Sequence, residues 1–125
     1  MLKSILLIGT GGFIGSVARY FVSKLNLTIN LFSIPVGTLL VNITGSLLIG
    51  FLAGLSERTT LINSGTRLFL MVGICGGFTT FSSFTLENLT LLHNGQTLQV
   101  LIYIAASVFL GLLAVFGGYL LSNLI

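Results

Sequence analysis

The stretch GICGGFTTFSSF, Gly73 to Phe84, sets paired glycines, two threonines, two serines and three phenylalanines inside the longest apolar run of the chain. None of these side chains is charged, yet each offers something to an ion. Hydroxyls donate and accept hydrogen bonds, and aromatic rings have a positive edge that can touch an anion. Phe81 and Phe84 are three residues apart and share a helical face, with Ser83 and Glu87 on a neighbouring one. Two other stripes have the same character. Thr38, Asn42 and Ser46 recur every four positions, while Leu40, Ile43, Leu47 and Leu48 take other faces; Tyr103, Ser107 and Gly111 repeat the pattern. Hydroxyls and glycines so spaced also serve simply to join membrane helices. Asn42 is harder to explain that way. An amide in hydrocarbon must find partners, and its N–H donors can face an anion or a neighbouring helix; the residues alone leave both open.

Residues for covalent or acid–base chemistry are sparse. His93 is the only histidine and falls in a turn, Cys75 is the only cysteine, and no nucleophile, base and orienter come together. An enzyme is therefore the least expected class. Cys75 reads as buried filler and can form no internal disulfide.

The elements that position these stripes must lie in a bilayer. With 54% hydrophobic and 6% charged residues and a mean hydropathy of +1.13, polar side chains are too few to cover a soluble globule. The net charge of +3 is five scattered basic residues, so nucleic acid is excluded as a partner. Four apolar stretches approach or exceed the roughly 20 residues that a spanning helix needs: about Ile5 to Val22, Ile34 to Leu55, Leu68 to Leu92 and Leu98 to Leu121. The expected fold is an all-α integral membrane protein with four transmembrane helices per subunit, one domain over residues 1–125. The opening MLKSILLIGTGGFIG reads as the first span rather than a signal peptide, because it continues to Arg19-Tyr20 and three comparable spans follow. Its glycines resemble a dinucleotide-binding turn, but no acidic residue appears before Glu57 and no βαβ pattern follows. Gly11, Gly15 and Arg19 instead recur every four positions on one face, a pattern for close helix packing.

The third stretch is longer than a straight crossing requires. Gly76-Gly77 and Thr79-Thr80 near its middle predict a broken helix. Such a break is tolerated in a membrane where the freed backbone groups are buried in protein or line a cavity, and its ends then bind ions.

GGFTTFSSF, with GGFIGSVARY in the first span and GTLLVNITGSLLIGF in the second, resembles the signature of the Fluc (CrcB) family of bacterial fluoride channels over essentially the whole chain. The resemblance implies an antiparallel, dual-topology homodimer in the bacterial cell membrane with two passive fluoride pathways. It also implies roles for particular residues. Phe81 and Phe84 would line each pathway, Asn42 would donate to the ion, and Thr38, Thr80, Ser83, Tyr103 and Ser107 would form polar tracks. Arg19 and Glu87 would lie near the mouths, and the backbone carbonyls of Gly76 and Thr79 from both subunits would hold a structural sodium ion. The family signature often reads Ser-Thr-Phe where this chain has Ser82-Ser83-Phe84, and the hydroxyl is kept.

Charge placement fits two-way insertion. Lys3, Arg58 and Arg67 fall on one side of four spans, Lys24 and Arg19 toward the other, so the Lys/Arg bias that sets orientation is nearly absent. A small, strongly hydrated anion needs donors in place of its water, whereas a buried Lys or Arg in mid-membrane would hold it too tightly to conduct. Hydroxyls, amides and ring edges are intermediate. A small-multidrug-type antiporter shares the four spans, but the carboxylate it needs in its first span is missing here; a non-conducting assembly subunit would need neither the break nor Asn42.

Overall fold

A computed structural model describes residues 1–125, and its four helical spans match the four apolar stretches. The first comprises α1 (Leu2–Ser23) and, after Lys24, the short α2 (Leu25–Thr28). The second is α3 (Val36–Arg58), which starts directly after Pro35, a residue whose fixed φ and missing N–H suit a helix start. The third runs from α4 (Ser64–Arg67) through a π-helical segment (Leu68–Cys75) into α5 (Gly76–Phe78), and α6 (Ser82–His93) follows. The fourth is α7 (Thr97–Leu121) with a closing 3₁₀ turn at Ser122–Leu124. Each is long and apolar enough to cross a membrane, and their outward faces carry exposed Leu, Ile, Val and Phe side chains. The molecule is a multi-pass membrane protein.

Glycine sets the closest contacts. A Cβ on Gly15 would run into the backbone of Ile74, Gly77 and Phe78, and one on Gly11 into that of Phe69 and Gly73. The face read in the sequence as Gly11, Gly15 and Arg19 is thus the seam between the first and third spans. Gly50 and Gly118 do the same between α3 and α7, lying against the Val115 and Leu47 carbonyls. Small residues permit such approach where hydrophobic exclusion from water cannot drive association.

The connector from α2 to α3 is tightly folded. Phe32 and Ser33 have positive φ of 57° and 64°, a conformation side chains resist. Asn30 Oδ1 accepts the Ser33 amide at 3.1 Å, and Gln96 Nε2, from the α6–α7 turn, donates to Ser33 Oγ at 3.0 Å. Beneath it lies a small core of Ile34, Leu91, Val100 and Tyr103, against which Leu39 and Phe84 pack.

Candidate ion site

Helical residues of the third span stop at Phe78 and resume at Ser82. Gly76 and Gly77 are themselves helical; Thr79 is the extended residue, with ψ of 156°. Hydroxyl and amide side chains take over the amides that a continuous helix would direct at earlier carbonyls. The Thr80 amide donates to Asn42 Oδ1 at 2.8 Å instead of to the Gly76 carbonyl, and the Ser83 amide donates to Thr80 Oγ1 at 3.2 Å instead of to the Thr79 carbonyl. Gly76 and Thr79 are therefore left with carbonyl oxygens that accept no backbone amide. The neighbouring Gly77 carbonyl accepts from Arg19 Nε at 3.0 Å.

Beside these carbonyls is a cleft of about 390 Å³, walled by α3, the third span and α7. It gathers Asn42, Thr80, Phe81, Phe84 and Ser107, together with Gly76 and Thr79. Asn42 spans its wall, since Nδ2 also donates to the Thr80 carbonyl at 3.0 Å, leaving one N–H of the amide uncommitted. Phe81 is 76% exposed, and its ring lies 5.8 Å from that of Phe84. Ser107 Oγ is buried without a hydrogen-bond partner. No Lys, Arg, Asp or Glu lines the cleft. Its chemistry is that of neutral donors, ring edges and bare carbonyls, which suits a small ion that must shed water without being trapped.

Phe84 connects this cleft to a second cluster. Its ring meets Tyr103 edge-on, with centroids 5.0 Å apart and planes at 71°. The Tyr103 hydroxyl donates to Glu87 Oε2 at 2.7 Å, and the Thr38 hydroxyl donates to Glu87 Oε1 at 2.6 Å. Of the residues singled out in the sequence, Asn42, Thr80, Phe81, Phe84 and Ser107 share the cleft, while Thr38, Tyr103 and Glu87 form this cluster. Ser83 joins through its amide to Thr80. Arg19 is not part of the Glu87 cluster; its side chain bonds the Gly77 carbonyl.

The bare carbonyls, the amide clamp and the paired rings fall within GGFTTFSSF and the stripe of α3, and the matches to known proteins run through both. Residues 6–119 match the family described as CrcB-like protein, Camphor Resistance (CrcB). The chain belongs to the CrcB family. It is 48% identical over 122 residues to a protein named fluoride-specific ion channel FluC from Rhizobium meliloti (strain 1021), covering 98% of both chains. A protein of the same name from Chlorobium chlorochromatii (strain CaD3) is 47% identical over 91% of this chain and 88% of its own, and one from Flavobacterium psychrophilum is 41% identical over 98% of each.

Two features of this CrcB-family chain escaped the sequence. Asn26, in α2, accepts the Gly37 and Thr38 amides on Oδ1 at 2.6 and 3.2 Å and donates from Nδ2 to Thr38 Oγ1 at 3.1 Å. Its only sequence signal is an amide in the apolar LNLT. At the other end of α3, Arg58 Nη1 donates to Ser122 Oγ at 2.9 Å and lies over the Tyr119 ring, whose hydroxyl donates to Glu57. That set ties the ends of α3 and α7 together.

Proposed function

We propose that the protein is a channel, not an enzyme, that lets fluoride leave a bacterial cell passively across its cell membrane. Hydrogen fluoride is a weak acid that enters from acidic surroundings and dissociates inside, so an open route for the anion suffices for export. The observation that carries this reading is the uncharged cleft in which Asn42, Thr80, Phe81, Phe84 and Ser107 converge. Membership of the CrcB family and relatives named fluoride-specific ion channel support it. From the cleft, Phe84 leads to the Thr38 and Tyr103 hydroxyls and to Glu87 as the mouth of the track; Ser83 borders it and Arg19 marks the other side.

The working unit in this reading is an antiparallel homodimer in the lipid bilayer, with two pathways. The even spread of Lys3, Arg58 and Arg67 against Lys24 and Arg19 supports insertion in both orientations. So does the exposure of Phe81, an aromatic ring that a second subunit would cover. The interruption between Phe78 and Ser82 then serves as a cation site. The Gly76 and Thr79 carbonyls, two from each subunit around a two-fold axis, would hold a sodium ion as hard oxygen ligands, supplying positive charge off the pathway. The freed state of these two carbonyls, and the absence of a Cβ at Gly76, fit that role.

Liposomes loaded with potassium fluoride or chloride and made permeable to potassium test the reading. Fluoride efflux without a proton gradient, with chloride retained, is expected. Efflux only with a proton gradient would point to an antiporter, and none at all to an assembly subunit.

A further inference from the structure

The cluster at Glu87 has a directionality that its hydroxyls alone do not impose. Thr38 is buried to 1% exposure, and its hydroxyl has a single proton. A threonine hydroxyl is free to present either that proton or a lone pair. Asn26 Nδ2 donates to Thr38 Oγ1 at 3.1 Å, which occupies a lone pair and turns the proton away, toward Glu87 Oε1 at 2.6 Å. The same amide nitrogen is 3.4 Å from Glu87 Oε1, a longer and weaker contact. Asn26 Oδ1 meanwhile holds the Gly37 and Thr38 amides, the free donors at the start of α3. One amide side chain thus fixes both the place of Thr38 and the sense of its hydrogen bond.

The cluster is not sealed. Asn26 and Glu87 both line a cavity of about 200 Å³ under the connector, bordered by Ile29, Ser33 and Pro35. In the channel reading this is the mouth of the polar track. The one proton of Thr38 is committed to Glu87, so what its donation sets is the place of the carboxylate at that cavity.

We infer that Asn26 is a positioning residue of the ion pathway, one that commits the Thr38 hydroxyl to Glu87 and so fixes that carboxylate at the cavity under the α2–α3 connector. The inference rests on the channel reading above. Asn26 itself need not touch the ion.

The test is the fluoride current through single channels in planar bilayers, measured for Asn26→Asp and Asn26→Ser beside the wild-type chain, with thermal melting of each purified protein. Asp keeps an acceptor for the Gly37 and Thr38 amides but offers Thr38 a carboxylate in place of an N–H, which invites its proton the wrong way. Ser keeps a neutral helix cap with a shorter reach. A residue that only caps α3 would change how many channels open, not the current through each. The expected result is a unitary current lowered about threefold to tenfold in Asn26→Asp, a cost of about 0.7–1.4 kcal/mol at the barrier, with a smaller drop in Asn26→Ser and a melting temperature close to wild type in Asn26→Asp. Wild-type unitary current in both variants overturns the inference, as does failure of both to fold, which would leave Asn26 an architectural role alone. If Asn26→Asp alone fails to fold, the unitary current of Asn26→Ser decides. A wild-type chain that passes no fluoride current refutes the channel reading itself, and with it this role.

Discussion

Asn42 and Thr80 are joined by two opposed hydrogen bonds, the Thr80 amide to Asn42 Oδ1 at 2.8 Å and Asn42 Nδ2 to the Thr80 carbonyl at 3.0 Å. The side-chain amide stands in for a neighbouring peptide. It satisfies both backbone groups of Thr80, neither of which enters a helical hydrogen bond, and it does so from α3, so it also fixes the distance between two spans. Asn42→Asp keeps the acceptor and loses the donor, placing a carboxylate against the Thr80 carbonyl. Fluoride efflux should fall at least about tenfold, equivalent to about 1.4 kcal/mol at the barrier. Efflux from liposomes reads this directly, and robust efflux would remove Asn42 from the pathway.

The two rings of the cleft differ in what they hold up. Phe84 packs on Tyr103 and the core around Ile34 and Leu91, whereas Phe81 is mostly exposed in the single chain. Phe84→Ile should therefore lower both fluoride flux and thermal stability, losing an edge-to-face pair of about 0.5–1.5 kcal/mol. Phe81→Ile should lower flux while leaving the melting of a detergent-dissociated subunit within about 0.5 kcal/mol of wild type. Undiminished flux in both variants would make the rings packing groups only.

How much of this was legible in the sequence depended on whether a feature is local. The four spans follow from apolar length, and the Gly11, Gly15, Arg19 face from a spacing of four, so both could be read directly. The break was expected over Gly76-Gly77 and Thr79-Thr80; within that stretch the glycines stay helical and the extended backbone falls on Thr79, because the groups that capture the freed amides come from Asn42 and from the Thr80 hydroxyl. Only tertiary contact decides that. The π-helical turns of Leu68–Cys75 were invisible for the same reason: a register shift of one hydrogen bond has no side-chain period to announce it. Asn26 was missed because its value lies in residues 11, 12 and 61 positions away.

Gly45 and Gly15 test the packing that places the cleft. A Cβ on Gly45 would collide with the methyl of Thr79, a branched side chain whose own hydroxyl is held by the Cys75 carbonyl at 2.9 Å. Gly45→Ala should push Thr79 out of place and reduce flux. Gly15→Ala would meet backbone on the third span, which cannot yield as a side chain can, and should cost about 1–3 kcal/mol or more through overpacking. Thermal melting should therefore rank Gly15→Ala below Gly45→Ala, and the reverse order would show that the seam between the first and third spans is soft.

Gly76 separates the fold of one chain from the assembly of two. A Cβ built there comes no nearer than 3.9 Å to any atom, the Met71 carbonyl, so within a single subunit a side chain has room. Its backbone is an ordinary right-handed helical one, which Val can adopt. If Gly76→Val is nevertheless severe, the obstruction lies outside the chain, where a second subunit would bring its own third span against the first. The variant should express and insert but elute as a monomer and pass no fluoride. Thr79→Ser, which keeps the backbone carbonyl and the hydroxyl and loses one methyl, should stay dimeric with flux near wild type. A sodium ion held by the Gly76 and Thr79 carbonyls adds a further requirement. Replacing sodium by a large organic cation on both sides should silence the channel, while equal sodium on both sides should support full flux, because the ion is bound rather than transported. Flux that persists after exhaustive sodium removal would leave the bare carbonyls without a cation, and a dimeric, conducting Gly76→Val protein would move the subunit contact elsewhere.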